Sequence, residues 1–179
     1  MKYLFVFIFV CVFPVYANAH NLCPQSINQY VSFERYSERL NNASEWINDV
    51  LLVLDEEGLH RKWIYLMLTE SGGNKNAVSK QGAQGAWQLT ALIAKAYGCT
   101  DRLNPVDSTR AAARYIRKLM NDFKNDERKV LMAYNMGGSN LRKRGKPTNE
   151  AAMLSQVVLC LFESNPLSIN GFEQKAIDN

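Results

Sequence analysis

From Ser71 to Thr100 the chain carries no aspartate or glutamate, and Glu70 stands immediately before this interval. Glu70 closes an apolar run, Trp63-Ile64-Tyr65-Leu66-Met67-Leu68, and leads straight into Ser71-Gly72-Gly73. A carboxylic acid ordinarily ionises well below neutral pH and then has no proton to give. Apolar surroundings disfavour the charged form and raise the pKa, which makes such a group a general acid near neutrality. Leu66, Met67 and Leu68 are placed to supply those surroundings. Pattern alone would equally allow a surface glutamate near a helix end. Downstream, Gly82 and Gly85 flank a connection that leads to Trp87-Gln88. No lysine of a phosphate-binding loop accompanies these glycines and no strand precedes them, so close backbone packing is the better reading. Gln88 can present its amide to a polar ligand or to Glu70. The segment Ala133-Tyr134-Asn135 offers a flat aromatic face with a hydrogen-bonding tip, and an amide beside it.

Helices must position these groups. Phe33, Tyr36, Leu40, Ala43, Ile47, Leu51 and Leu54 recur every three or four residues and predict one amphipathic helix. It ends at Asp55-Glu56-Glu57 and Gly58, although acids at a C-terminus oppose the helix dipole. A short helix over about 61–69 is apolar nearly all round, which predicts burial at the centre of a domain. Gly72-Gly73 stop it. A polar loop follows, then a helix from Ala86 to Tyr97. Asp107 or Ser108 is expected to cap a helix from Thr109 to Phe123. Another runs from Glu127 to about Tyr134 and breaks at Gly137-Gly138. A basic turn, Arg142 to Pro147, precedes a last helix capped by Thr148 or Asn149 and reaching about Glu163. The pattern holds no alternating strand of useful length. The expected fold is mainly α, a single domain over 33–165, with at most a small irregular hairpin near 74–84.

The 179 residues are 47% hydrophobic and 21% charged, ordinary for a soluble globular domain. The net charge of +4 favours anionic surfaces or polymers without identifying one. No nucleic-acid motif accompanies it, and no nucleic-acid partner is expected. Lys2, the apolar stretch Leu4 to Val15 and the small-x-small Ala17-Asn18-Ala19 read as an export signal over 1–19. The apolar stretch is short for a membrane span, so no stable anchor is expected after cleavage. Residues 20–32 read as a loose leader and 166–179 as a tail. Once Cys11 leaves with the signal, Cys23, Cys99 and Cys160 remain. Cys99 with Cys160 is the favoured disulfide, because both flank predicted helices of the core; Cys23 with Cys160 is the competitor. The cysteine spacing fits no zinc pattern, and His20 and His60 add nothing to one.

The order of these pieces resembles the catalytic domain of lytic transglycosylases of the soluble lytic transglycosylase superfamily, the likeness being closest to membrane-bound lytic transglycosylase D. The matching residues are Glu70-Ser71 with Gly72 and Asn74, Ala77-Val78-Ser79, Gly82-Ala83, Gly85, Trp87-Gln88, Ala94 and Tyr97-Gly98. Asn104-Pro105, Ser108-Thr109, Ala111 to Tyr115, and Ala133-Tyr134-Asn135 with Gly137 complete the match over roughly residues 50–142. Each piece alone is weak; their ordered combination is specific.

The resemblance implies a lysozyme-like fold that cleaves the MurNAc–GlcNAc β-1,4 bond of peptidoglycan glycan strands, with no cofactor and no metal. Glu70 is implied to protonate the glycosidic oxygen and then, as a carboxylate, to deprotonate the muramyl 6-hydroxyl, leaving a 1,6-anhydro end. Ser79, Gln88 and Tyr134 fall at positions implied to line the cleft and bind substrate. Ser71, Asn135, Gly82 and Gly85 are implied supports. Most glycosidases need a second carboxylate, and the acid-free interval after Glu70 fits a mechanism without one. Asp101 or Asp107 folding back into the cleft would weaken that inference. Thr90 and Ala91 stand where the family usually has Met and Pro, which changes the expected subsite shape. The likeness further implies an exported, periplasmic or secreted enzyme of the kind that opens the wall for a conjugation, secretion or pilus apparatus.

Overall fold

The structure, a computed structural model, describes Cys23 and residues 30–164. The expected signal at 1–19, most of the 20–32 leader and the 166–179 tail lie outside the described residues. Eight α-helices occur among those described: α1 Phe33–Asn42, α2 Ile47–Glu56, α3 Ile64–Ser71, α4 Ala91–Ala96, α5 Pro105–Asp122, α6 Glu127–Met136, α7 Gly138–Arg144 and α8 Asn149–Ser164. A 3-10 turn, Arg61–Trp63, leads into α3.

The apolar run is the centre of the molecule. Trp63 to Leu68 are all buried, so α3 has no solvent face over its first turn and a half. It is enclosed by α1 and α8, while α2 packs on α5 and α8 lies most extensively along α6. The amphipathic stretch expected as one helix is two. Ser32 caps α1, whose chain turns at Ala43 and restarts at Trp46, both buried. The period survives across the break because the turn itself dips into the core.

The acids that ought to oppose the dipole of α2 are met by arginines of α5. Arg110 and Arg114 reach the Glu57 carboxylate at 3.3 and 3.1 Å, Arg110 also reaches Glu56 at 2.8 Å, and Arg117 donates to the Glu57 carbonyl at 3.0 Å. These cations offset a placement that would otherwise be unfavourable. The helix expected from Thr109 begins earlier, at Pro105. Its cap is neither Asp107 nor Ser108 but Asn104, whose side chain accepts from the amides of Val106 and Asp107. Proline at the first helical position gives up an amide that needs no partner there. Past Gly137 the chain enters α7, which takes in the start of the expected basic turn as its last turn. Thr148 accepts from the Ala151 amide at 3.1 Å, as the expected cap of α8.

The favoured disulfide does not form. Cys160 on α8 bonds Cys23, with their Cα atoms 5.3 Å apart and a sequence separation of 137. Closing so long a loop restricts the unfolded chain and favours the folded one. Cys99 follows α4, an element packed on α5, and stays a free buried thiol. Burial, with the nearby Asp107 charge, pushes that thiol up to about 11.

Between α3 and α4 lies the irregular hairpin, extended beyond its expected end by bridges Val78–Gln84 and Gln84–Leu89. Its anchor is Trp87, fully buried, whose indole N–H donates to Thr109 Oγ1 at 2.7 Å. Thr109→Val keeps the shape but leaves that buried N–H unpaired, which should cost about 1–3 kcal/mol. Urea unfolding should show a lower midpoint with an unchanged slope; an unchanged midpoint would mean the bond contributes nothing to holding the hairpin.

Candidate active site

Four features of the chain fix Glu70 in place. Helix α3 ends at Gly72, in the left-handed region at φ 65°. Helix α1 binds two carbonyls at that end: Arg39 donates at 3.0 Å to Leu68 O, which also accepts the Gly72 amide, and Asn42 donates to Gly72 O at 3.1 Å. Thr69, beside the acid, is locked between Tyr65 O at 2.6 Å and Tyr36 Oη at 2.7 Å. Finally, α1 crosses so close that a Cβ on Gly73 would collide with the Arg39 carbonyl. Glycine there permits the approach.

Glu70 opens into a cavity of about 270 Å³, lined also by Ser79, Gln88, Thr90, Ile93, Tyr115, Tyr134, Asn135 and Glu150. Among the described residues no cation lies within ion-pair distance of its carboxyl group. Burial, reinforced by the Glu150 charge, raises its pKa to about 7. Its place in the last turn of α3, the negative end of the helix, acts in the same direction.

Tyr134 faces this acid: burial first, then the Glu70 charge and Tyr115, hold its hydroxyl well above its ordinary value. The hydroxyl donates its one hydrogen to Trp87 O at 2.8 Å. It can therefore only accept from another group, such as a protonated carboxyl. Its ring stands 5.5 Å from that of Tyr115, which is 5.3 Å from Tyr97, so aromatic contacts tie α6 to α5 and to the end of α4.

Ser79 and Gln88 reach the same cavity from the hairpin. The Ser79 hydroxyl accepts from the Ala83 amide at 3.0 Å, which leaves its own hydrogen available to a ligand. Gln88 differs from expectation. It lies in no helix, since α4 starts only at Ala91 behind the cap Thr90. Its backbone sits at φ 49°, uncommon for a residue with a side chain. The paired bonds Gln84–Leu89, both 3.0 Å, hold it there. Its amide nitrogen donates to Ala77 O and Gly85 O at 3.1 and 2.9 Å, and so is used on the hairpin rather than on Glu70. The amide oxygen remains for a ligand.

Gly85 is a packing position, as its spacing suggested: φ is 81° and a Cβ would run into the Arg102 carbonyl. Gly82 turns the hairpin through its bond to Ser79 O at 3.0 Å. Ser71 donates back to Met67 O at 3.1 Å, within α3. Asn135 lines the cavity next to Tyr134.

Asp101 and Asp107 do not fold back. Asp107 accepts from Thr100 and Asp101, and Asp101 from the Leu103 amide. The second carboxylate in the cavity is Glu150, from the first turn of α8, and sequence reasoning missed it. A glutamate just behind a cap reads as a dipole-stabilising residue, and nothing local links it to an acid eighty positions earlier. The acid-free interval after Glu70 thus does not make the cavity a one-carboxylate site.

A helical domain with a half-buried acid, unpaired with any cation, at the mouth of a polar cleft is a lysozyme-like arrangement. Residues 56–155, more than half the chain, match the transglycosylase SLT domain, and the chain belongs to that family. It is similar to the peptidoglycan transglycosylase gp16 of Escherichia phage T7, at 40% identity over 46% of this chain and 7% of the phage protein. It is 37% identical to the membrane-bound lytic murein transglycosylase F of Vibrio parahaemolyticus, over 40% of this chain and 15% of that one. The X-ray structure of an inactive mutant of lytic transglycosylase Slt from Pseudomonas aeruginosa superposes with TM-score 0.57 at 18% identity, covering 80% of this chain and 26% of that protein. The chain spans less than a third of the length of each.

Glu70 holds its proton more tightly in the folded chain, at about 7, than its ordinary value of 4.5 allows in the unfolded one. Between those values the folded state binds more protons, so stability falls as pH rises through that window. Glu70→Gln should therefore raise stability above pH 7, by on the order of 2 kcal/mol, with the gain vanishing below about pH 4. Thermal unfolding at pH 4 and pH 8 checks this; an equal shift at both would contradict the assigned burial.

Proposed function

We propose that the protein is a peptidoglycan lytic transglycosylase, with Glu70 acting once as acid and once as base. The observation that carries this reading is a carboxyl group, held near pKa 7 by burial, in a cavity of about 270 Å³ lined by the polar groups of Ser79, Gln88 and Tyr134. Glu70 gives its proton to the glycosidic oxygen as the C1–O4 bond breaks. The substrate acetamido group helps stabilise the sugar cation. Glu70, now a carboxylate, takes the proton of the muramyl 6-hydroxyl as O6 bonds C1, and the proton balance returns to its start. Ser79, with a free hydrogen, and the Gln88 oxygen suit an acetamido or hydroxyl group. Tyr134 suits Glu70 as an acceptor while it is protonated.

Family membership and the names of the relatives support the substrate class. The likeness to the D-type members rests on the ordered sequence pieces alone, since the relatives found include an F-type enzyme and a phage protein. No helix among the described residues is long and apolar enough to cross a membrane. With the export leader, this fits a periplasmic enzyme that opens the wall for a conjugation, secretion or pilus apparatus.

Glu150 favours one rival reading. A second carboxylate in the cleft is what a hydrolytic muramidase needs to activate water. Mass spectrometry of digested peptidoglycan separates the two. The transglycosylase leaves ends one water lighter that resist borohydride, whereas reducible ends would overturn it. Glu70→Gln should lower cleavage by about 10²–10⁴-fold while leaving sacculus binding largely intact.

A further inference from the structure

We propose that Glu150 is a positioning residue for the reaction, a carboxylate at the head of α8 that faces Glu70 across the cavity and keeps its proton in place until substrate arrives. The proposal rests on the reading of Glu70 as the acid and base, and its support is geometric. Glu150 and Glu70 line one cavity, reached from helices that are packed on each other. Helix α8 cannot easily shift: Ala151, Ser155, Val158 and Cys160 are buried along it, and the bond to Cys23 ties down its far end. Among the described residues Glu150 has no hydrogen bond or ion pair of its own, so no partner cancels its charge. In the first turn of α8 that charge lies at the positive end of the helix, where a carboxylate is favoured.

Among the described residues, the other groups that line the two cavities form no ion pair with either carboxyl group. From α5 and α6 come Tyr115 and Tyr134, both protonated well beyond neutral pH. From α1 come Tyr36 and Arg39. The Arg39 guanidinium donates to Leu68 O and Tyr36 Oη, and although it shares a second cavity with Glu150, no ion pair joins them. Electrostatic repulsion from Glu150 thus adds to the effect of burial on Glu70. Glu150 itself exchanges no proton in the cycle. Two carboxyl groups then hold different roles in one cleft, because one is half-buried at a helix C-terminus and the other exposed at a helix N-terminus.

The test follows the Glu70 carboxyl carbon by ¹³C NMR across pH 4–9 in the wild type and in Glu150→Gln, together with the pH profile of cleavage. Glu150 is exposed, so its replacement should leave the melting temperature nearly unchanged. The expected result is a Glu70 midpoint lowered by about half a pH unit or more, and an alkaline limb of the rate profile that moves with it. Glu150→Lys should move both further. A Glu70 midpoint that stays put in both variants overturns the proposal, as does a loss of rate that is uniform across pH. A midpoint that moves while the rate profile does not would uphold the electrostatic coupling and sink the catalytic role of Glu70 instead.

Discussion

Removing a carboxyl group from water without giving it a cation makes the protonated form the stable one. Much of the chain serves to hold Glu70 in that condition. The acid has to sit at the end of a helix whose whole circumference is covered, so Trp63 to Leu68 must all be apolar and neighbouring helices, α1 and α8 among them, must supply the cover. The nearby carbonyls and hydroxyls are satisfied by α1 through Arg39, Asn42 and Tyr36, and none of these groups is spent on the acid. Arg39 spends its hydrogen bonds on Leu68 O and Tyr36 Oη and makes no ion pair with the acid. Nine other ion pairs among the described residues lie away from the cleft, on the surfaces of α2, α5 and α6.

The opposite wall of the cleft is built by a different means. The hairpin from Val78 to Leu89 is too short and irregular to be stable alone. It is held by Trp87 on Thr109, by Tyr134 on the Trp87 carbonyl and by Gly85 against Arg102. Each of these joins the hairpin to α5, to α6 or to the loop between α4 and α5. The left-handed backbone of Gln88 is the local cost of turning a polar side chain toward the cleft while the next residue pairs with Gln84. Thr90 caps α4 and lines the cavity, so one small side chain both starts the helix and forms a polar part of the wall.

Sequence carried a good deal of this. The apolar run, its stop at Gly72 and its burial were legible because a helix that is apolar all round has only one place to go. The cap of α8 was legible because Thr148 acts over three residues. What escaped notice depended on contacts between distant segments. The break at residues 43–46 preserves the hydrophobic period, so periodicity could not reveal it. Gln88 was assigned to a helix because nothing local encodes the pairing of Gln84 with Leu89. Cys160 chose Cys23 over Cys99 through the placement of α8, which no spacing rule contains. Glu150 was invisible for the same reason, and it changes the chemistry most, since it ends the inference that the cleft holds a single carboxylate.

The central claim is that Glu70 begins the cycle with its proton on. The pH dependence of kcat/KM for the wild-type protein on purified sacculi tests it directly. The account predicts a rate that falls through a single ionisation near pH 7 as the acid loses its proton. A rate that instead rises across that range, or that stays level to pH 9, would contradict it.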